Sequence, residues 1–412
     1  MKRNLFTQLL NEWRDNIWLV IELLLVSAVI WFIGMILYSL VGSYYTPRGF
    51  DYDNVYTLNV KYISEKSPYY TTIPEDEESP YSHDRAELLR RLINNPHVEA
   101  AAFHQNAVPY NYNYSGWLLN RFDTNDTIPY YGNVRRGTPG IVRVLNYKSR
   151  TGKTTEQLEE MLRNGQLLIS DSRGYNQNGL NPEDLVGARV ILGGDSSKIY
   201  TVGDLIQNVR RSDYEGSWGG TIIIPQDEKI TPSGDIVLRI HQGHEMRFKE
   251  DFRNDPTLRR QRNIYLSDLQ SLSDIRRTCQ HDTDTTVHTF ETVMFFLLVT
   301  VFLGMLGAFW FRIQQRVSEI AMRKVCGATR GDIFRRIITE GLILLAVAAL
   351  LMSLLAWPFM GDIQPMLDVD TKVVIIIELI TLAIVALGII ASLWAPARRA
   401  MKIEPAIALK GE

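Results

Sequence analysis

Apolar positions along this chain gather into four blocks, Ile17–Val41, Thr292–Phe311, Ile333–Trp357 and Val373–Trp394, with polar sequence between them. Each block holds about 20 residues or more. A helix rising about 1.5 Å per residue needs that length to cross a hydrocarbon core of about 30 Å, so four transmembrane helices are expected. Their boundaries are placed at 17–41, 290–311, 333–357 and 373–395. The first block is longer than the apolar core of a secretory signal and no A-x-A pattern follows it, so it reads as an uncleaved span. Ahead of it, Leu5, Phe6, Leu9, Leu10 and Trp13 recur at helical spacing. They predict an amphipathic helix over 1–16 lying in the membrane interface, with a frayed tail as the alternative.

The long polar segment 42–289 has periodicities of its own. Val55–Ile63 alternates as a strand, His83–Asn95 carries Leu88, Leu89, Leu92 and Ile93 on one helical face, and Val98–His104 returns as a strand. Asp235–His241 (strand), Glu245–Arg253 (helix) and Asn263–Leu266 (strand) repeat the pattern. Two such units separated in sequence can close into one split βαβ sheet with helices on one face. Between them, Ile141–Leu145, Gln166–Ser170, Arg189–Leu192, Ile199–Gln207 and Gly220–Pro225 read as short strands and Thr155–Arg163 as a brief helix. Residues 141–225 are accordingly expected to form an inserted, mostly β lobe. The aromatic stretch Val108–Gly132 reads as an inter-lobe core or ordered loop rather than a ligand surface. The acidic run Glu75–Glu78 reads as a solvated tip, and Asp268–His288 as a polar helical stalk leading to the second span. The expected fold is a membrane protein with four transmembrane helices. A large two-lobed α+β extracytoplasmic domain, a split βαβ lobe plus a mostly β lobe, lies between helices 1 and 2.

Charge orients this scheme. The net charge of −2 over 412 residues is a sum of unlike parts. Segments 1–16, 312–336 and 396–412 together carry +8, whereas 42–289 carries −4 and loop 358–372 carries −2. Lys and Arg collect on the cytoplasmic side, so both termini and the loop 312–332 are expected inside and 42–289 outside. The large domain is accordingly expected to be extracytoplasmic. Cys279 and Cys326 then fall on opposite sides and cannot pair with each other. No exposed segment has the basic excess of a nucleic-acid binder.

Tests for site chemistry are mostly negative. Gly152-Lys153-Thr154 resembles the end of a phosphate-binding loop, but the required earlier glycine is Tyr147. His244-Glu245 begins like a zinc-protease motif, but Phe248 stands where the second histidine belongs. Gly216-Ser217-Trp218-Gly219 does not fit a nucleophile elbow. The seven histidines are scattered singly, so structural roles are expected for them and no catalytic, cofactor or metal site is assigned. Within the spans stand three acids, Glu22, Glu340 and Glu378, and such groups are costly there. Glu340 follows Arg336 at the i,i+4 spacing of a helical ion pair. At different depths the three acids do not line a path, and packing and anchoring are the expected roles.

The segment Arg316–Leu342 is the most specific signal. A short helix is expected with Ile320, Ala321 and Val325 toward one side and Glu319, Arg323 and Lys324 projecting, after which Gly327 permits a turn. Such an element suits force transfer from a cytoplasmic partner, and equally suits a positive topology signal. Its Arg316, Glu319, Ile320, Arg323, Lys324, Gly327, Ala328 and Thr329 resemble the R-x-x-E-I-x-x-[RK]-[RK]-x-x-G-A-[TS] signature of the MacB/FtsX-like permeases of ABC transporters. Pro396–Ala400 (PARRA) and Glu404–Leu409 are similar to that family's ending, and Gly165–Ser170, Leu185–Gly187 and Tyr200–Arg210 resemble its periplasmic core. The resemblance implies a pair of permease subunits, homodimeric or heterodimeric, bound to a separate ABC ATPase subunit that uses the ATP. The eight signature residues would be the coupling contact, and the outer domain would move as a lever. Membrane lipids, and beyond them a periplasmic adaptor and an outer-membrane channel, complete the implied partners. No Walker motif is present, so no enzyme activity and no directly bound cofactor are expected of the chain itself. Three functions stay open: export from the periplasm, lipoprotein release of the LolC/LolE type, and FtsX-like activation of a cell-wall hydrolase.

Overall fold

The computed structural model describes residues 13–74, 80–111, 113, 115–122, 130–172, 175–176, 181–214, 219–226, 234–367 and 369–403. Most of the expected N-terminal amphipathic helix, the run Glu75–Glu78, Tyr112, Tyr114, Gly216–Trp218 and the tail from Glu404 lie outside them. The chain divides into two compact units, Ser43–Thr283 and a helical unit of Met1–Gly42 with Asp284–Glu412.

Helix α1 (Trp13–Tyr45) leads into the inserted unit. There β1 (Val55–Tyr62), α2 (Pro80–Ile93) and β2 (Val98–Gln105) follow the predicted strand–helix–strand order. Next come β3 (Gly116–Arg121), β4 (Tyr130–Gly137), α3 (Ile141–Leu145), α4 (Thr155–Arg163), β5 (Leu167–Ser170), β6 (Arg189–Leu192), β7 (Asp195–Ile206) and β8 (Gly220–Pro225). The second unit of the pattern is β9 (Asp235–Ile240), α5 (Glu245–Asn254), α6 (Pro256–Arg259), β10 (Arg260–Gln261) and β11 (Ile264–Ser271).

The strands share one sheet in the order β10-β11-β1-β9-β2-β4-β3-β6-β7-β5-β8, and a further parallel pairing joins β4 to β8. That last pairing closes β4-β3-β6-β7-β5-β8 into a ring. Side chains alternate across each strand, so every strand serves two cores. Tyr56 and Leu58 of β1, Phe103 of β2 and Ile236 and Leu238 of β9 face Leu88, Leu89 and Leu92 of α2 and Phe248 and Phe252 of α5. Val55, Ala100, Ala102 and Val237 face the other way and pack with α3 and with Leu158 and Leu162 of α4. The ring interior is filled by Leu119, Val134, Leu167, Ile169, Val190, Val202, Leu205, Ile222 and Ile224.

Four sequence expectations are corrected by the structure. Ile141–Leu145 is a five-residue helix, not a strand: all but Arg143 are buried, and Asn146 ends it in the left-handed region at φ 54°. The sheet has helices on both faces, because α3 and α4 cover the side opposite α2 and α5. Asp268–Ser271 continues β11, so the stalk helix begins at Leu272. The ring also takes in 116–137, ahead of residue 141. The aromatic stretch splits accordingly: Tyr110 and Tyr130 are buried, whereas Trp117 and Phe122 are exposed.

In the helical unit, α1 packs with α7 (Leu272–Gln315), α8 (Val317–Val325), α9 (Arg330–Ala356) and α11 (Thr371–Met401), α10 (Met360–Leu367) lying between the last two. Among the described residues four helices are long and apolar enough to cross a membrane, within Asn16–Tyr45, Leu272–Gln315, Arg330–Gln364 and Thr371–Met401. Leu23, Met305, Phe309, Ile337, Leu344, Val385, Ile389 and Leu393 form their common core. A second cluster, with Trp31, Met35, Met352, Val374 and Ile377, includes a bond from Trp31 Nε1 to the Val374 carbonyl at 3.4 Å. The opposite faces expose Trp18, Leu25, Phe295, Phe296, Leu354, Leu379 and Leu387, as hydrocarbon contact requires.

Candidate functional site

Helix α8 is short, and its surroundings hold it. Ile320 and Ala321 are buried against the helical core, beside Ala397 and Ala400 of α11. Arg316, just before α8, donates through Nη1 to Glu340 Oε1 of α9 at 3.2 Å, and Arg312 lies 3.5 Å from the same oxygen. The i,i+4 spacing pointed to Arg336 as partner of Glu340, and the structure adds these two arginines from the preceding helix and turn. Lys324, at the far end of α8, donates through Nζ to the carbonyls of Met401 (2.7 Å) and Ile403 (2.6 Å). A helix leaves its last carbonyls without partners, and a lysine there satisfies them and opposes the partial negative charge of the helix end. The two terminal signature segments, one around Lys324 and one at Pro396–Ala400, are thereby joined.

Glu319 and Arg323 pair with each other along α8, with Nη2 to Oε1 at 2.6 Å, both side chains about two-fifths exposed. With Arg312, Arg316, Arg336 and Glu340 they line a cavity of about 40 Å³ between α7, α8 and α9. Gly327, at φ +93°, takes a conformation that disfavours a side chain, and the turn it makes lets its own N–H and that of Ala328 reach the Lys324 and Arg323 carbonyls. Thr329 then caps α9 reciprocally with Asp332: each backbone N–H is bonded by the other's side chain, at 3.0 and 3.2 Å.

The signature residues therefore fix the segment both internally, through Glu319–Arg323 and the Gly327 turn, and to its neighbours, through Arg316 to α9 and Lys324 to the end of α11. The outward side of α8 carries Ser318 and the half-exposed Glu319–Arg323 pair together with Met322 (55% exposed) and Val325 (62%), and Cys326 beyond them is exposed. Val325 was expected on the buried side with Ile320 and Ala321, but α8 ends there and the turn at 326–329 carries the chain away from the core.

The intramembrane acids are not brought together. Glu22 of α1 lies against Gly304 of α7, where a side chain would push the carboxylate from its present place. Glu378 of α11 accepts a hydrogen bond from Ser353 Oγ of α9. Each acid thus has its own neighbouring helix.

The inserted unit contains a cluster that the sequence did not reveal. The Asp213 side chain is fully buried, and its carboxylate accepts from Arg48 Nε (2.7 Å), Tyr110 Oη (2.8 Å) and Arg276 Nε (2.8 Å). Arg210 reaches back to the carbonyls of Ser43, Thr46 (3.0 Å) and Asp213 (2.6 Å). The residues where the chain enters this unit, 43–48, and those where it leaves, around Arg276, are thus clamped to one point. Burial alone would raise the Asp213 pKa, but the hydrogen bonds from Arg48, Tyr110 and Arg276 hold it down at about 2. His104, buried with both ring nitrogens unpartnered, has its pKa pushed down by burial to about 4.

The decoys resolve into structural roles. Thr154 of the Gly-Lys-Thr triplet is the N-cap of α4, in a reciprocal box with Gln157. His244 is the residue before α5, and its ring meets that of His97, so the histidines are not all scattered singly. Among the described residues no group of three or more His, Cys, Asp and Glu is arranged to hold a metal ion.

Residues 291–405 match the family model of the FtsX-like permease C-terminal domain. This FtsX-like segment takes in most of α7, the whole of α8, α9 and α11, and so every contact of the Lys324 junction. No curated protein matches the chain. A solved structure, the extracellular domain of the noncanonic ABC-type transporter YknZ from Gram-positive bacteria, aligns over 52% of this chain and 100% of its own. The identity is 11% and the TM-score 0.29.

Proposed function

We propose that the chain is the permease subunit of an ABC-type system, with no nucleotide site of its own, driven by a separate ATPase subunit. The observation that carries this reading is the buttressed α8 with Met322, Val325 and Cys326 facing outward, inside a segment matched by the FtsX-like family model. A contact helix passes on a push only if it cannot yield. Lys324 and Arg316 bond α8 to α11 and α9, so displacement at its tip is carried into two spans rather than absorbed locally. The remaining steps belong to the same proposal. The permease pairs with a second copy or a related subunit in a bacterial inner membrane, α8 faces the cytoplasm, and 43–283 moves as a lever in the periplasm to drive export from that compartment through an adaptor and outer-membrane channel.

The test is purification of the complex from native membranes under mild detergent, with identification of every subunit. An ATPase together with a periplasmic adaptor supports the export reading. A bound lipoprotein in place of the adaptor replaces export by lipoprotein release, and a cell-wall hydrolase replaces it by signalling. Recovery of the chain with no ATPase overturns the permease reading itself.

A further inference from the structure

Within the inserted unit the β9–α5 turn brings a second histidine onto the one that precedes β2. His97 Nδ1 and His244 Nδ1 lie 3.0 Å apart, with the rings at 76° to each other. The backbone beneath them is tied at three points. The His97 N–H donates to Asn95 Oδ1 at 2.9 Å, the His241 N–H to the His97 carbonyl at 3.0 Å, and the His244 N–H to the His241 carbonyl at 3.0 Å. On the far side of the His97 ring, Asp251 Oδ2 stands 3.6 Å from Nε2 and is itself hydrogen-bonded by Asn95 Nδ2 at 3.3 Å. Both rings are half-buried, so the pair is fixed yet open to solvent.

We propose that His97 and His244 form an open binding site for a divalent transition-metal ion of the zinc class, held through their two Nδ1 atoms. The Asp251 carboxylate favours the proton of His97 on Nε2, which leaves the Nδ1 lone pair directed at His244. In the metal-free pair, His244 must then supply the single Nδ1 proton that lies between the two nitrogens. An ion replaces that proton. With Zn–N bonds of about 2.0–2.1 Å, two nitrogens on one ion stand roughly 2.9–3.4 Å apart for angles from square to tetrahedral. The observed separation falls in that range, so the rings hardly move. A carboxylate behind a ligating histidine is the usual support for such a ligand, fixing its tautomer and raising its basicity. Two imidazoles suit zinc, copper and nickel rather than magnesium or calcium, and water fills the remaining positions. The proton balance follows directly: one Zn²⁺ enters, both Nδ1 atoms become ligands, and the His244 proton passes through solvent from Nδ1 to its own Nε2, so two neutral imidazoles bind the ion with no net proton release.

The test is isothermal titration of the untagged full-length protein in detergent with Zn²⁺, in two buffers of different ionisation enthalpy. One equivalent is expected to bind per chain, with the same apparent enthalpy in both buffers because two neutral rings release no net proton. His97→Ala and His244→Ala should each weaken binding at least tenfold, and Asp251→Asn by about tenfold while leaving the stoichiometry unchanged. His244→Gln keeps the backbone that starts α5 and a polar side chain, so it repeats the test in a variant whose folding is undisturbed. Absence of Zn²⁺ binding, or an affinity unchanged in the His97 and His244 variants, overturns the proposal.

Discussion

Replacing Asp213 by asparagine removes one charge and leaves the shape of the clamp intact. The carboxylate pKa falls from its ordinary 3.8 to about 2 on folding. Near neutral pH the charged form therefore stabilises the folded unit by roughly 2 kcal/mol. Because the folded value lies below the unfolded one, this contribution is complete above about pH 5 and is lost as pH falls toward 2. The asparagine variant forfeits it at every pH, and leaves Arg48 and Arg276 facing a neutral amide in place of a carboxylate. The loss is expected near the carboxylate, where the chain enters and leaves the unit. Hydrogen exchange of the full-length protein at pH 7 should show amides in 43–48 and 208–214 exchanging up to about 30-fold faster, the ratio that corresponds to roughly 2 kcal/mol. Between pH 5 and 3 wild-type protection should fall toward the level of the variant. Equal protection in the two proteins at pH 7, or identical pH dependence, would refute the reasoning.

Other perturbations separate the remaining roles. Lys324→Met removes both bonds to the end of α11, expected to cost about 1–3 kcal/mol and to uncouple transport from ATP hydrolysis with insertion unchanged; paired transport and ATPase assays check it. Val325→Glu, at a 62% exposed position, should alter stability by less than about 0.5 kcal/mol yet abolish stimulation of the ATPase. Thr154→Ala breaks the N-cap of α4 and should lower stability by about 1 kcal/mol in denaturant titration. His104 is held neutral, with a folded pKa of about 4 against an ordinary 6.5, so it opposes folding increasingly as pH falls from 6.5 to 4. His104→Leu should flatten the stability profile across that window, measured by thermal melts at stepped pH.

The spans are legible in the sequence as long apolar runs, and the strands β1, β2, β5, β6, β8 and β9 as short apolar or alternating runs bounded by turn residues. Where a short apolar run is buried on nearly every side, periodicity alone does not tell helix from strand. Ile141–Leu145 has the β-branched residues of a strand, yet burial on nearly every side suits one helical turn as well, and Asn146 decides the outcome through its left-handed backbone. The strands β3 and β4 show no alternation to read: β4 is buried on both faces and β3 is exposed or half-buried at all but Leu119. In the coupling segment, the turn at Gly327 and the cap at Thr329 were readable from residue type. The partner of Lys324 was not: the carbonyl of Met401 lies 77 residues away. Asp213 and its arginines are 165 and 63 residues apart, and His97 and His244 are 147 apart. No local pattern marks such pairs, since each depends on strand order in the finished sheet.

The central claim is that the tip of α8 is the contact for a separate ATPase. A photo-crosslinking amino acid placed at position 325, in native membranes, tests it most directly. The account predicts a single protein adduct, with a nucleotide-hydrolysing subunit, that disappears when the crosslinker is moved to the buried position 321. Crosslinking to lipid alone, or to no nucleotide-hydrolysing protein while the chain remains fully inserted, would contradict it.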